Sequence, residues 1–123
     1  MKPPKVVDPA RVGTYSPLAR AGGGFVFDEV LEYRVWFKEK DGNSTFRAFA
    51  TFQEAQAFST LDLPRIEPPL ALVLQREYVD EPEPGRRFLV REPRITEWQI
   101  AWLDEDHRRT PENLRRILGD RAA

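Results

Sequence analysis

The sequence predicts an α+β domain. The expected architecture is an antiparallel sheet of four to five strands in the order ββαββ(β)α, with one helix packed on one sheet face and a C-terminal helix. Three observations carry this expectation. Residues 25–37 place Phe25, Phe27, Glu29, Leu31, Tyr33, Val35 and Phe37 on alternate positions, apolar or aromatic at all but one, as a strand with one dry face requires. Thr51-Phe52-Gln53-Glu54 opens a short segment of helical spacing. Further on, apolar and β-branched runs alternate with Pro-rich and Gly-containing turns, the punctuation of a second group of strands.

Taken in order, residues 1–24 have no steady period and read as an extended N-terminal arm, with Val12, Tyr15 and Leu18 available to pin it. Residues 25–123 form the single α+β domain, since a chain of 123 residues supports one modest core. The triplet Gly22-Gly23-Gly24 reads as a flexible lead into the first strand, because a phosphate-binding glycine loop would follow a strand and open a helix. Lys40-Asp41-Gly42-Asn43-Ser44 suits a hairpin turn centred on Asp-Gly or Gly-Asn. Either centre makes paired positions sum to an odd number, which puts Phe46, Ala48, Ala50 and Phe52 on the dry face and Arg47, Phe49 and Thr51 with Arg34 and Trp36.

The helix that begins after Thr51 carries Phe52, Ala55, Phe58 and Leu61 on one side and ends before Pro64. Leu70 to Val79 reads as one strand, apolar on both sides at its start. Glu81-Pro82-Glu83-Pro84-Gly85 turns the chain, 87–91 returns as a strand, and Pro93 interrupts the ladder. Ile95 to Leu103 alternates, with Trp98, Ile100 and Trp102 on one side. Thr110-Pro111-Glu112 places a cap and a first-turn proline before the stripe Leu114, Ile117, Leu118.

Composition excludes several classes of function. Lys and Arg total 19 against 20 Asp and Glu, so no global field draws nucleic acid or an anionic membrane. The arginines near the carboxyl end, Arg108, Arg109, Arg115, Arg116 and Arg121, are matched by Asp104, Glu105, Asp106, Glu112 and Asp120. With no cysteine and one histidine, His107, there is neither a thiolate nucleophile nor a zinc-ligand pattern, and no metal is expected. The first residues lack the apolar run of a signal peptide, so a cytoplasmic location is expected, with no membrane partner.

Two groups of residues are candidates for a site. Asp28, Glu32 and Arg34 share one strand face, near Arg47 across the hairpin and beside Trp36. Such a polar sheet face supplies an acid and a base if burial splits their pKa values. Left in water it is a set of ion pairs, each stabilising by about 0.2–1 kcal/mol. Trp36, Trp98 and Trp102 are candidate interface residues, aromatic side chains of the kind enriched where proteins meet partners. No catalytic set is complete. The residues therefore point to a non-catalytic binding or assembly module without a cofactor, acting as a homodimer or on an unknown protein partner.

Gly22 to Trp36, Ala48 to Ala55, Pro69 to Gly85 and Ile95 to Trp98 resemble a group of short, uncharacterised bacterial proteins that often carry the label GNAT-like acetyltransferase. The resemblance implies, as the alternative function, an acyl-coenzyme A-dependent N-acetyltransferase. Such enzymes hold the coenzyme A pyrophosphate on an Arg/Gln-x-x-Gly-x-Gly/Ala loop between a strand and a helix. The strand-to-helix passage here is Ala50-Thr51-Phe52-Gln53-Glu54, without glycine, and Arg20 to Phe25 leads into a strand. No catalytic residue carries over.

Overall fold

A computed structural model describes residues 2–119, apart from the side chain of Arg20. Asp120 and Arg121 of the charge-balanced carboxyl segment lie outside the described residues. The chain is α+β. Its strands are β1 (Arg20–Ala21), β2 (Glu29–Lys38), β3 (Ser44–Phe49), β4 (Leu70–Gln75), β5 (Tyr78–Glu83), β6 (Arg86–Val90) and β7 (Arg94–Gln99), and its helices are α1 (Phe52–Ser59) and α2 (Pro111–Leu118). The main sheet has the order β1-β7-β4-β2-β3, antiparallel throughout except for the parallel β1–β7 pair. β5 and β6 form a separate hairpin.

Local chemistry accounts for both helices. The Thr51 hydroxyl accepts from Glu54 N at 3.1 Å and donates to the Glu54 carboxylate at 2.8 Å, which satisfies an amide that the first turn of α1 leaves open. Thr110 does the same for Asn113 N at 3.1 Å, with Pro111 at the first position of α2. α1 lays Phe52, Ala55 and Phe58 on the sheet, against a core of Phe27, Val30, Tyr33, Val35, Ala71, Val73 and Trp98. Leu61 falls beyond the helix and is exposed. α2 closes a smaller second core of Val26, Val79, Ile117 and Leu118 beneath the β5–β6 hairpin.

Four expectations about the strands are corrected. β2 and β3 pair Trp36 with Phe46 and Arg34 with Ala48, so paired positions sum to an even number. The loop is wider than a two-residue turn, closed by Glu39 N to Asn43 O and Gly42 N to Glu39 O. Phe46 and Ala48 therefore share the face of Arg34 and Trp36, and Arg47 and Phe49 lie with Val35 and Tyr33. Next, β2 bulges between Val30 and Glu32, which reverses its parity. Val30 enters the main core in place of Glu29, the one charged residue of the odd series. Phe25 and Phe27 precede the strand, and Phe25 packs on the second core. Finally, 70–79 is two strands, since the chain leaves the main sheet after Gln75 and Tyr78 starts the hairpin. β7 also ends at Gln99, and Ile100–Trp102 is a 3-10 turn.

The first residues of the chain take part in the sheet. Val6 bridges to Val30, and Val7 N donates to Val30 O at 2.9 Å, alongside the part of β2 that β3 does not reach. Gly13 N then donates to the Glu32 carboxylate, Ser16 O accepts from Arg34, and β1 joins β7 at the far edge. Residues 6–21 thus cross one face of the sheet from β2 to the edge beside β7. Val12 packs on the core, whereas Leu18 is 90% exposed and pins nothing.

Candidate functional site

Glu32 and Arg34 emerge from β2 on the face that the arm crosses, and both are wholly buried. Arg34 Nε meets Glu32 Oε2 at 2.7 Å, its Nη1 lies 3.3 Å from Glu97 Oε2, and its Nη2 donates to Ser16 O at 2.7 Å. The guanidinium also stacks over Phe46, 4.2 Å from the ring centroid. Glu97 takes the Trp36 indole N–H at 2.8 Å. Glu97 had no signal in the sequence beyond its place in an alternating strand, yet it joins two of the nominated residues. Glu32 and Arg34 at its centre are thus paired and shut from water, and the cluster reaches the surface only at Glu97, whose side chain is 14% exposed and lines a shallow pocket with Trp36.

The other two members of the nominated polar face stand elsewhere. Asp28 precedes β2 and holds the carboxyl segment: its carboxylate accepts from Arg109 Nε and from Arg76 N, each at 2.7 Å. Arg47 is exposed on the α1 side of the sheet, its guanidinium 5.6 Å from the Phe58 ring. The three tryptophans do not form one patch either. Trp36 lies on the arm-covered face against Phe46, at a centroid distance of 4.9 Å. Trp98 and Trp102 meet near the main core, edge to face, with centroids 5.8 Å apart.

Around that tryptophan pair the chain builds a pocket of about 230 Å³, lined by Gly23, Gly24, Phe25, Trp98, Trp102 and His107. Each wall is fixed by the fold. Trp98 projects from β7, is 1% exposed, and donates its indole N–H to Gly23 O at 3.0 Å. Trp102 follows on the 3-10 turn and remains 36% exposed. His107 is anchored through its backbone, since Phe27 N donates to His107 O and Arg109 N donates to Phe27 O, both at 2.9 Å. The Asn113 amide of α2 steadies the same loop by donating to Glu105 O and Arg108 O at 2.8 Å. His107 Nδ1 lies 2.7 Å from Asp104 Oδ1, and its ring stands perpendicular to Trp98.

Two of the three glycines, Gly22 and Gly24, are closely packed, while Gly23 between them has open space. A Cβ on Gly22 would come within 2.5 Å of the Trp102 ring. One on Gly24, whose φ is +84°, would meet the Gln75 amide at 2.5 Å and Arg94 at 2.7 Å. Phe25 itself holds φ +65°, a left-handed backbone that costs a bulky residue about 1–3 kcal/mol and persists where its surroundings over-determine it. Here the constraint comes from the second core on one side and the Arg87 guanidinium on the other, 4.7 Å from the ring centroid. A composition of three consecutive glycines was visible in the sequence. That they close on a tryptophan some 80 residues away was not.

Among the described residues no group of three or more His, Cys, Asp or Glu side chains is placed to hold a metal ion. Among them, too, no helix is long and apolar enough to cross a membrane. No protein-family model, curated protein or solved structure matches the chain.

Proposed function

We propose that this protein is a small non-catalytic binding module whose recognition feature is the pocket between Trp98, Trp102, Phe25 and His107. One observation carries the reading. Glu32 and Arg34, the acid and base at the centre of the polar sheet face, are wholly buried and paired with each other, with Glu97 and with the arm, whereas the concave aromatic surface is open and has a polar group on its wall. Aromatic walls with a few placed polar atoms are the usual makeup of a small-ligand site. The alternative of a coenzyme A-dependent transferase has less to support it, because the first turn of α1 is capped by Thr51 with Glu54 beside it, unfavourable to a pyrophosphate. The module is proposed to work as a homodimer joined along β3, the outer strand of the sheet, whose free side is a template for a second copy.

A fragment screen read by amide and indole NMR shifts tests the binding reading. Hits are expected to move the Trp102 and His107 signals and to disappear in Trp102→Ala; shifts confined to other surfaces overturn it. Light scattering behind a sizing column is expected to return twice the chain mass, and a strict monomer at high concentration removes the homodimer.

A further inference from the structure

We infer that two copies of this chain join β3 to β3, antiparallel about a two-fold axis at Phe46, so that Ser44 pairs with the partner's Ala48 and Thr45 faces the partner's Arg47. The inference rests on the homodimer reading above and adds the register of the joint.

The direction of the backbone groups comes first. Trp36 O accepts from Glu67 N and Lys38 N donates to Pro64 O, so the even positions in this part of β2 face away from β3. Glu39 N donates to Asn43 O, so the odd positions face it. Residues along a strand turn their N–H and C=O to alternate sides, and Trp36 stands opposite Phe46 with Lys38 opposite Ser44. The N–H and C=O of Ser44, Phe46 and Ala48 therefore point out of the sheet. Among the described residues nothing hydrogen-bonds to them. The two ends of the sheet differ in this respect. One ends in β1, only two residues long, whereas β3 offers six residues without a proline or a register shift, the devices that usually blunt an edge.

Symmetry selects the partner. The outward residues are spaced evenly about Phe46, so the same strand turned end for end presents the same row, and a second copy meets every free donor with an acceptor. Hydrogen bonding and charge then select the register. Antiparallel pairing joins outward residues only to outward residues. An axis at Phe46 joins Ser44 to the partner's Ala48, Phe46 to the partner's Phe46, and Ala48 to the partner's Ser44, leaving none of them unpaired. An axis at Thr45 leaves Ala48 without a strand partner, and one at Arg47 leaves Ser44 without one. The axis at Arg47 also sets two guanidiniums directly opposite each other, where like charges repel. With the axis at Phe46, each Arg47 faces the neutral Thr45 instead. On the opposite face, the Trp36–Phe46 contact of each copy, with centroids 4.9 Å apart, continues across the axis as one aromatic row.

The chain has no cysteine, so introduced thiols report the joint without background. Thr45→Cys and Arg47→Cys are each expressed alone, then co-expressed on tags of different length, and oxidised. Facing positions of a non-hydrogen-bonded pair lie about 4.5 Å apart, within disulfide reach, whereas identical positions lie on the diagonal at about 7–8 Å. The co-expressed pair is therefore expected to give about fivefold or more cross-linked dimer than either variant alone, or than Leu18→Cys at a 90% exposed site. Ser44→Pro removes an outward N–H at the first residue of the strand and spares the β2 ladder. Its circular dichroism is expected to match the parent's, and its dimer dissociation constant to rise about tenfold or more; should it not fold, the cross-links decide alone. Strongest cross-linking by Thr45→Cys alone or by Arg47→Cys alone overturns the register. Cross-linking no greater than that of Leu18→Cys, in a protein that light scattering shows to be a dimer, overturns the β3 joint and leaves a homodimer formed elsewhere. A strict monomer removes the joint and the homodimer together, and neither result bears on ligand binding at Trp102.

Discussion

Arg34 shows how one side chain can be polar in sequence and structural in the fold. Its three nitrogens bind Glu32, Glu97 and Ser16 O, and its flat face covers Phe46. Desolvating such a group is unfavourable unless its partners are complete, so the network matters most when it is broken. Arg34→Ala is expected to destabilise the protein by about 3–5 kcal/mol in urea unfolding, because Glu32 and Glu97 lose their counter-charge. Glu32→Gln is expected to cost less, since the amide oxygen still accepts from Gly13 N and Glu97 still balances Arg34. If the two variants melt together, Arg34 is not the centre of the cluster. The alternation of β2 placed Glu32 and Arg34 on one face from sequence alone. It did not separate a wet face from a covered one, because the cover comes from residues about 20 positions earlier with no periodicity of their own.

At the scale of elements, signals contained within a few residues proved reliable. Thr51 and Thr110 cap their helices as their spacing to Glu54 and Asn113 requires, and Pro111 occupies the first position of α2. Thr51→Ala and Thr110→Ala are each expected to cost about 1 kcal/mol, with Thr→Ser restoring most of it, as read by thermal melts. Loss of the Thr110 cap is also expected to loosen the loop that holds His107, through Asn113, and so to broaden the His107 ring signals; Thr51→Ala leaves them sharp. Pairing was less legible. The Lys40–Ser44 loop could close as a two-residue turn on local chemistry, and a change of one residue in its width exchanges the two faces of β3. The wider loop puts Phe46 under Arg34 and beside Trp36, a contact that no turn propensity encodes.

Across the whole molecule, the arm ties the sheet together by running from Val30 to β7. Its start is held by the Tyr33 hydroxyl, which donates to Pro4 O. Burial pushes the Tyr33 pKa up to about 12 from 10.0, a rise that the nearby Arg108 charge only partly opposes. The folded form keeps the phenol proton more tightly than the unfolded chain does. Stability from this group is therefore complete below the unfolded value and is lost as pH rises from 10 towards 12. Urea midpoints are expected to fall across that window, with residues 2–8 becoming open to protease first. Tyr33→Phe is expected to be less stable at neutral pH, since Pro4 O loses its donor, and to show a shallower alkaline decline. A decline as steep as the parent's would assign it to another group.

What the sequence determined by itself was the α+β class, the two capped helices, the long second strand and the interruption at Pro93, since each depends on periods and caps written over five to ten neighbouring residues. Tertiary structure alone decided the bulge that exchanged Val30 for Glu29, the division of 70–79 into two strands, the arm across the buried Arg34, and the meeting of Gly22–Gly24 with Trp98, Trp102 and His107. These features set residues distant in the chain side by side. Their stability comes from closing loops and sharing burial, which no local window of sequence contains.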